Sequence, residues 1–297
     1  MAATIKLCGP AVLSPEGATS ASTPLEQITA QLVMILQKQH PCQKDEDDLD
    51  ETDVPEEENA EYDWLCIETA LEVVASLSTA LGPQFGELWK VFEGPVLKYA
   101  SSQERFERSA SIGTMADCIE GMGSGCTPFT KRMMTILTKR LRDEDPETKS
   151  NAAFGTGLLC LNSTDTKETL PNYNTVFSLL EPMLDASNSS SPDESRARLV
   201  DNAAGCVARM IKASPQSVPL QQVLPRLVEL LPLKNDFREN EPVYDTIVSL
   251  YQAQEPTIMG MKQQMVPVLE KVLSPPEDQV SEEMKEKLTQ LAQFLKQ

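Results

Sequence analysis

The sequence predicts an all-α solenoid of about six antiparallel helix pairs. Three observations carry this: an apolar slot recurring about every 42 residues, apolar stripes at helical spacing, and few aromatics. Of the 297 residues 40% are hydrophobic, 24% charged and only 5% aromatic. That balance suits a folded helical chain and argues against a β-sandwich or barrel. An apolar run followed by Pro, one residue and Leu recurs at Pro95-Val96-Leu97, Pro182-Met183-Leu184, Pro225-Arg226-Leu227 and Pro267-Val268-Leu269, and Thr135-Ile136-Leu137 fills the missing slot. Successive slots lie 40, 47, 43 and 42 residues apart, the period of stacked helix pairs in HEAT or armadillo arrays.

One further slot, Met34-Ile35-Leu36, precedes Pro95 by 61 residues, and setting aside the 19 residues 45–63 as an insertion restores a spacing of 42. Those 19 residues hold 12 Asp or Glu and no Lys or Arg, so self-repulsion and the lack of apolar anchors predict disorder. Apolar stripes place the helices: Leu25, Ile28, Leu32, Ile35 and Leu36; then Phe129, Met133, Ile136, Leu137 and Leu141; then Val243, Ile247, Leu250 and Tyr251; and finally Met284, Leu288, Leu291 and Leu295. Leu81-Gly82-Pro83, the glycines 121, 123 and 125, Asp145-Pro146 and the segment 188–192 punctuate them. The resulting pairs span about 23–81, 83–122, 126–161, 168–214, 219–255 and 256–297, with Pro182, Pro225 and Pro267 bending the first helix of their pairs. Residues 1–22 read as a flexible tail or the remnant of a preceding repeat.

Charge and cysteine usage narrow the function classes. The formal net charge is −19, from 26 Lys plus Arg against 45 Asp plus Glu, which disfavours nucleic acid and anionic membrane as partners and favours a basic one. Seven dispersed cysteines without a C-x-x-C pair, and a single histidine, His40, fit neither a zinc cage nor a disulfide framework. Reduced thiols in the cytoplasm or nucleus are the expectation. No run approaches the roughly 18–20 apolar residues of a membrane span, and no signal peptide opens the chain.

Catalytic chemistry finds little support. His40 sits beside Pro41 at a helix end without a G-x-S-x-G element, and reads as a residue meeting free helix carbonyls. Gly121-Met122-Gly123-Ser124-Gly125 lacks the Gly-Lys-Ser/Thr ending of a phosphate loop and follows a helix, so a turn between repeats is expected. Lys131, Arg132, Lys139, Arg140 and Arg142 form a basic face read as outer surface. No enzyme activity, cofactor or metal is anticipated.

The motif 145–155, Asp-Pro-Glu-Thr-Lys-Ser-Asn-Ala-Ala-Phe-Gly, is echoed by Val200-Asp201-Asn202-Ala203-Ala204-Gly205. With Lys38-Gln39-His40-Pro41-Cys42-Gln43, the acidic stretch ending Glu61-Tyr62-Asp63, Ala116-Asp117-Cys118-Ile119-Glu120-Gly121 and Leu231-Pro232-Leu233-Lys234, the ordered set resembles the C-terminal HEAT repeats of the importin-β (karyopherin-β) family. One departure is that Lys149 of the repeat ladder is replaced by Val200 in the next repeat. The resemblance implies the C-terminal cargo-binding part of a nuclear transport receptor shuttling between cytoplasm and nucleus. Its implied partners are basic cargo such as histone tails or ribosomal proteins, Ran GTPase through repeats outside this chain, and nucleoporins. A HEAT scaffold organising a multi-subunit enzyme is the alternative.

The second helix of each pair lines the inner face of such an array. Asn151, Asn202, Glu239 and Glu241 fall at or near the starts of these helices, where carboxylates meet the positive helix end. Two roles stay open for them. They are caps and staples between repeats, or, as the family resemblance implies, cargo-binding groups that form pockets for lysines of an extended signal.

Overall fold

The computed structural model describes residues 1–14, 22–43, 56–274 and 279–296. Among them every regular element is helical, and the chain divides into two compact units, Met1–Pro128 and Phe129–Gln297.

The first unit holds α1 (Ala2–Cys8), α2 (Pro24–Leu36), α3 (Glu56–Leu81), α4 (Phe85–Tyr99) and α5 (Arg105–Met122). Helix α2 opens with a capping box: the Glu26 N–H donates to Thr23 Oγ1 at 3.2 Å, and the Thr23 N–H to the Glu26 carboxylate at 2.8 Å. Tyr99 donates its hydroxyl to the Leu36 carbonyl at 2.9 Å, tying the second pair to the first. Helices α3 and α5 approach so closely that a Cβ on Gly121 would lie 2.6 Å from the Ser78 carbonyl carbon, which explains a glycine inside a helix there. By length and composition the stretch Tyr62–Tyr99 is apolar enough to cross a membrane, a departure from the sequence reading. Its apolar side chains are instead core, with Ile67, Leu71, Val74, Leu77, Phe85, Trp89 and Phe92 all buried.

Two further expectations concern this unit. The segment 1–22 contains α1, whose Ala2 and Ile5 are buried in contact with α3; residues 15–21 lie outside the described set. Residues 45–55 of the expected acidic insertion also lie outside it, but 56–63 form the first two turns of α3. The disordered boundary at 63 is therefore corrected, because Glu and Ala are strong helix formers and an apolar helix follows directly.

The second unit contains α6 (Thr130–Arg140), α7 (Pro146–Asn162), α8 (Tyr173–Leu180), α9 (Glu194–Ala213), α10 (Leu220–Glu229), α11 (Asn240–Gln252), α12 (Lys262–Val272) and α13 (Glu282–Leu295). The elements fall into the pairs expected, α6 with α7 through α12 with α13. Their second helices α7, α9, α11 and α13 lie side by side and run parallel. Glu147 pairs with Arg198 while Gly157 meets Cys206 further along. Asp201 meets the Lys234–Asp236 loop while Thr246 bonds the Ala208 carbonyl. Glu241 meets Ser281 while Asp245 meets Lys287. Caps fix the starts of three of these helices: Asp145 accepts from the Thr148 N–H, Asp193 from Ser195 and Ser281 from Met284.

Pro225 and Pro267 sit inside their first helices. Pro182 does not: α8 stops at Leu180 and the proline occupies a 3-10 turn, Glu181–Met183. Glu181 keeps helical dihedrals, but Pro182 has no N–H to continue the ladder, so the last turn tightens to 3-10 and the chain leaves the helical region at Leu184.

Candidate functional site

Helix α9 is the centre of the inner layer of the second unit. Its apolar run from Ala203 to Ile211 is buried, and three polar side chains, Asp201, Asn202 and Arg209, are buried with it. Each of them reaches the loop that leads into α11.

One carboxylate oxygen of Asp201 accepts three backbone N–H groups, from Lys234 at 3.2 Å, Asn235 at 2.6 Å and Asp236 at 2.8 Å. Asn202 donates to the Asp236 carboxylate at 3.1 Å. Asn235 returns two bonds of 3.2 Å each, to the Ser189 and Ala197 carbonyls. Burial pushes the Asp201 carboxyl above its ordinary range, and the three N–H donors pull it back only in part.

Arg209 and Glu239 form a bidentate pair at 2.5 and 3.0 Å. The Arg209 guanidinium also lies 5.0 Å from the Phe154 ring centroid, and that of Arg238 lies 5.4 Å from it. Glycine makes the pair possible: a Cβ on Gly205 would collide with the Glu239 carboxylate, and one on Gly157 would lie 2.8 Å from the Cys206 Cα. Burial raises the Glu239 carboxyl above its ordinary value, against the lowering pull of Arg209.

The four residues singled out from sequence divide here. Glu239 is fully buried and Asn202 nearly so, each bonded within the protein, so neither offers its polar group to an extended ligand. That corrects their expected place in lysine pockets: they staple adjacent repeats. Glu241 is half-buried and accepts the Ser281 N–H at 2.7 Å. Asn151 is half-buried on α7.

Besides Glu241, the accessible charge of the layer comes from residues the sequence reading did not single out as a site. Glu147 stands 3.3 Å from Arg198, Lys212 2.8 Å from Asp245, and Lys287 2.8 Å from Glu283 and 3.9 Å from Asp245. Glu194 and Glu286 are exposed beside them. The signals were Asp145-Pro146-Glu147, an acid in a capped first turn, and Arg209 inside an apolar helix.

Other expectations also meet geometry. His40 faces Cys42 and Gln31, not helix carbonyls. Arg140, expected on the surface, is buried against Asp143 at 2.9 Å, so the basic face loses one member. Gly123 and Gly125 lie in the turn after α5, with Gly123 at φ 51°, while Gly121 stays inside the helix. Among the described residues no group of three or more His, Cys, Asp or Glu has the placement to hold a metal.

No family model matches the chain. The probable importin subunit beta-4 of Schizosaccharomyces pombe is 34% identical over 260 residues, 86% of this chain and 24% of that protein. Importin-4 of Mus musculus is 30% identical over 293 residues, and that of Homo sapiens 28% over 295; each match covers 98% of this chain and 25% of the relative. The chain thus spans about a quarter of the length of the curated relatives it matches. A designed armadillo repeat protein matches with a TM-score of 0.51 at 15% identity, covering 89% of this chain and 99% of its own, a likeness of fold alone. Helix-pair architecture, the polar staples between second helices and this sequence identity converge: the chain belongs to the importin-β family and is importin-4-like.

Proposed function

We propose that this chain is a cargo-binding part of a nuclear transport receptor and holds lysine-rich segments of basic proteins, histone tails or ribosomal proteins among them, along the parallel second helices of the second unit. The observation that carries the reading is the row of accessible acids on those helices: Glu147 on α7, Glu194 on α9, Glu241 and Asp245 on α11, and Glu283 and Glu286 on α13. Among the described residues Arg198, Lys212 and Lys287 pair with members of this row, within a chain of net charge −19. Asn151, half-buried on α7, belongs to the same proposed groove. A long flexible lysine-rich peptide matches such a row by charge, with ordering entropy and salt limiting its affinity. Ran GTPase and nucleoporins are proposed as partners of the longer receptor, with Ran engaging repeats outside this chain. The function is binding and transport, without catalysis.

Calorimetric titration with a lysine-rich histone-tail peptide at two ionic strengths tests this. Binding that weakens with salt, and weakens again when the lysines become glutamines, is the expected result. Equal binding of the lysine-free peptide overturns it, and no binding of either peptide favours the scaffold reading.

A further inference from the structure

One side-chain cluster in the first unit has no part in cargo binding. After α2 the chain turns back through Lys38, whose φ of 56° lies in the left-handed region. Lys38 then reaches Asp63 on α3 at 3.8 Å. This folds the loop 37–43 against the start of α3 and sets the chain's only histidine beside two cysteines.

His40 Nε2 lies 3.0 Å from Gln31 Oε1, an acceptor, so this nitrogen carries the ring proton. Nδ1 is left with a lone pair, and it accepts the Cys42 backbone N–H at 3.2 Å. The Cys42 Sγ lies 2.9 Å from the same nitrogen. The hydrogen bonds therefore select the tautomer in which imidazole accepts the thiol proton. Cys42 is exposed, whereas Cys66 on α3 is partly buried; both are free thiols. Cys42 and the Tyr62 hydroxyl are near enough to Cys66 to perturb its thiol. An accessible thiol beside a base, with a second thiol nearby, is the arrangement of an oxidisable pair.

We propose that Cys42 is a reactive thiol and Cys66 its resolving partner, so that a hydroperoxide oxidises them to a disulfide fastening the loop 37–43 to α3. His40 takes the Cys42 proton. The thiolate attacks the peroxide, forming an S–O bond as the O–O bond breaks, and the departing hydroxide regains that proton from His40 as water when the oxidant is hydrogen peroxide. Cys66 sulfur then attacks the Cys42 sulfenic acid; the S–S bond forms, the S–O bond breaks, and hydroxide leaves with the Cys66 proton as a second water. Two thiols lose two electrons and the peroxide gains them. A dithiol reductant reverses the bond.

The test uses the whole chain at neutral pH. Exposed Cys8, which has no histidine beside it, is the internal reference. Alkylation with iodoacetamide, read by peptide mass spectrometry, should modify Cys42 at least about tenfold faster than Cys8, and unfolding in urea should abolish the difference. Hydrogen peroxide should yield a Cys42–Cys66 linked peptide. In Cys66→Ser the sulfenic acid should persist and be trapped by dimedone at Cys42, and in His40→Gln the Cys42 rate should fall to that of Cys8. Equal alkylation of Cys42 and Cys8 in the folded chain, or a Cys42 sulfenic acid that persists with Cys66 present, overturns the proposal. Because each rate is a ratio within one folded molecule, loss of fold in a variant shows separately as the urea value.

Discussion

Arg209 and Glu239 meet as a two-bond pair, 2.5 and 3.0 Å, with side chains only 6% and 1% exposed. They come from neighbouring repeats, and neither charge has water to fall back on. Replacing Arg209 by Met, or Glu239 by Gln, strands the other group and should cost about 3–5 kcal/mol in urea unfolding. The double replacement Arg209→Met with Glu239→Leu should recover much of that loss. A single replacement that unfolds like the parent shows the pair to be dispensable.

Contact between α7 and α9 makes a second prediction. At Gly157 an added Cβ would press on the backbone of Cys206 at 2.8 Å, and backbone yields less readily than a flexible side-chain end. Gly157→Ala should lower stability by about 1–3 kcal/mol although alanine is the better helix former. Calorimetric melting against a Gly94→Ala control, where nothing lies within 4 Å of the added carbon, separates packing from propensity.

Asp201 predicts a pH signature. Its carboxyl titrates above the ordinary range in the folded chain because burial disfavours the charge. The unfolded state therefore releases this proton first as pH rises, and stability falls from the ordinary carboxylate range up through the raised value. Relative to Asp201→Asn, the parent should gain stability on acidification through that window. A difference between the two that is flat with pH, in urea midpoints measured across it, contradicts the assignment.

For cargo binding, accessible acids should matter and buried ones should not act directly. Glu147→Gln and Asp245→Asn should each weaken a lysine-rich peptide about twofold to fivefold, less at high salt, with the melt of the parent retained. Glu239→Gln should instead shift the melt. Titration and melting of the same samples distinguish the two outcomes.

The repeat was legible because helix pairs write their period into the chain: Pro95, Pro225 and Pro267 mark equivalent places in three of the first helices. The site was legible only in location. Glu239 at a helix start looks like a solvent-facing cap until Arg209, 30 residues earlier, is known to lie against it, and no local pattern encodes that distance. Asp201 was equally hidden, since its partners are backbone N–H groups, which any residue supplies. Glycines 157 and 205 were the readable trace of this crowding.

The carboxylate clasps on backbone N–H groups between second helices point one way. Asp201 holds the chain leading into α11, and Glu241 holds the Ser281 N–H at the start of α13. In both, a carboxylate of the earlier repeat grips N–H groups of the later one, whereas the side chains that reach back, Asn235 and Thr246, grip only carbonyls. A ribosome delivers the clasp before the segment it grips, so each newly made helix start meets a receiver already in place. Trimming from the two ends is correspondingly unequal. Repeats removed from the carboxyl side take their own gripped N–H groups with them. Removing a repeat from the amino side leaves the donors of its successor without their carboxylate, and the loss travels onward along the chain.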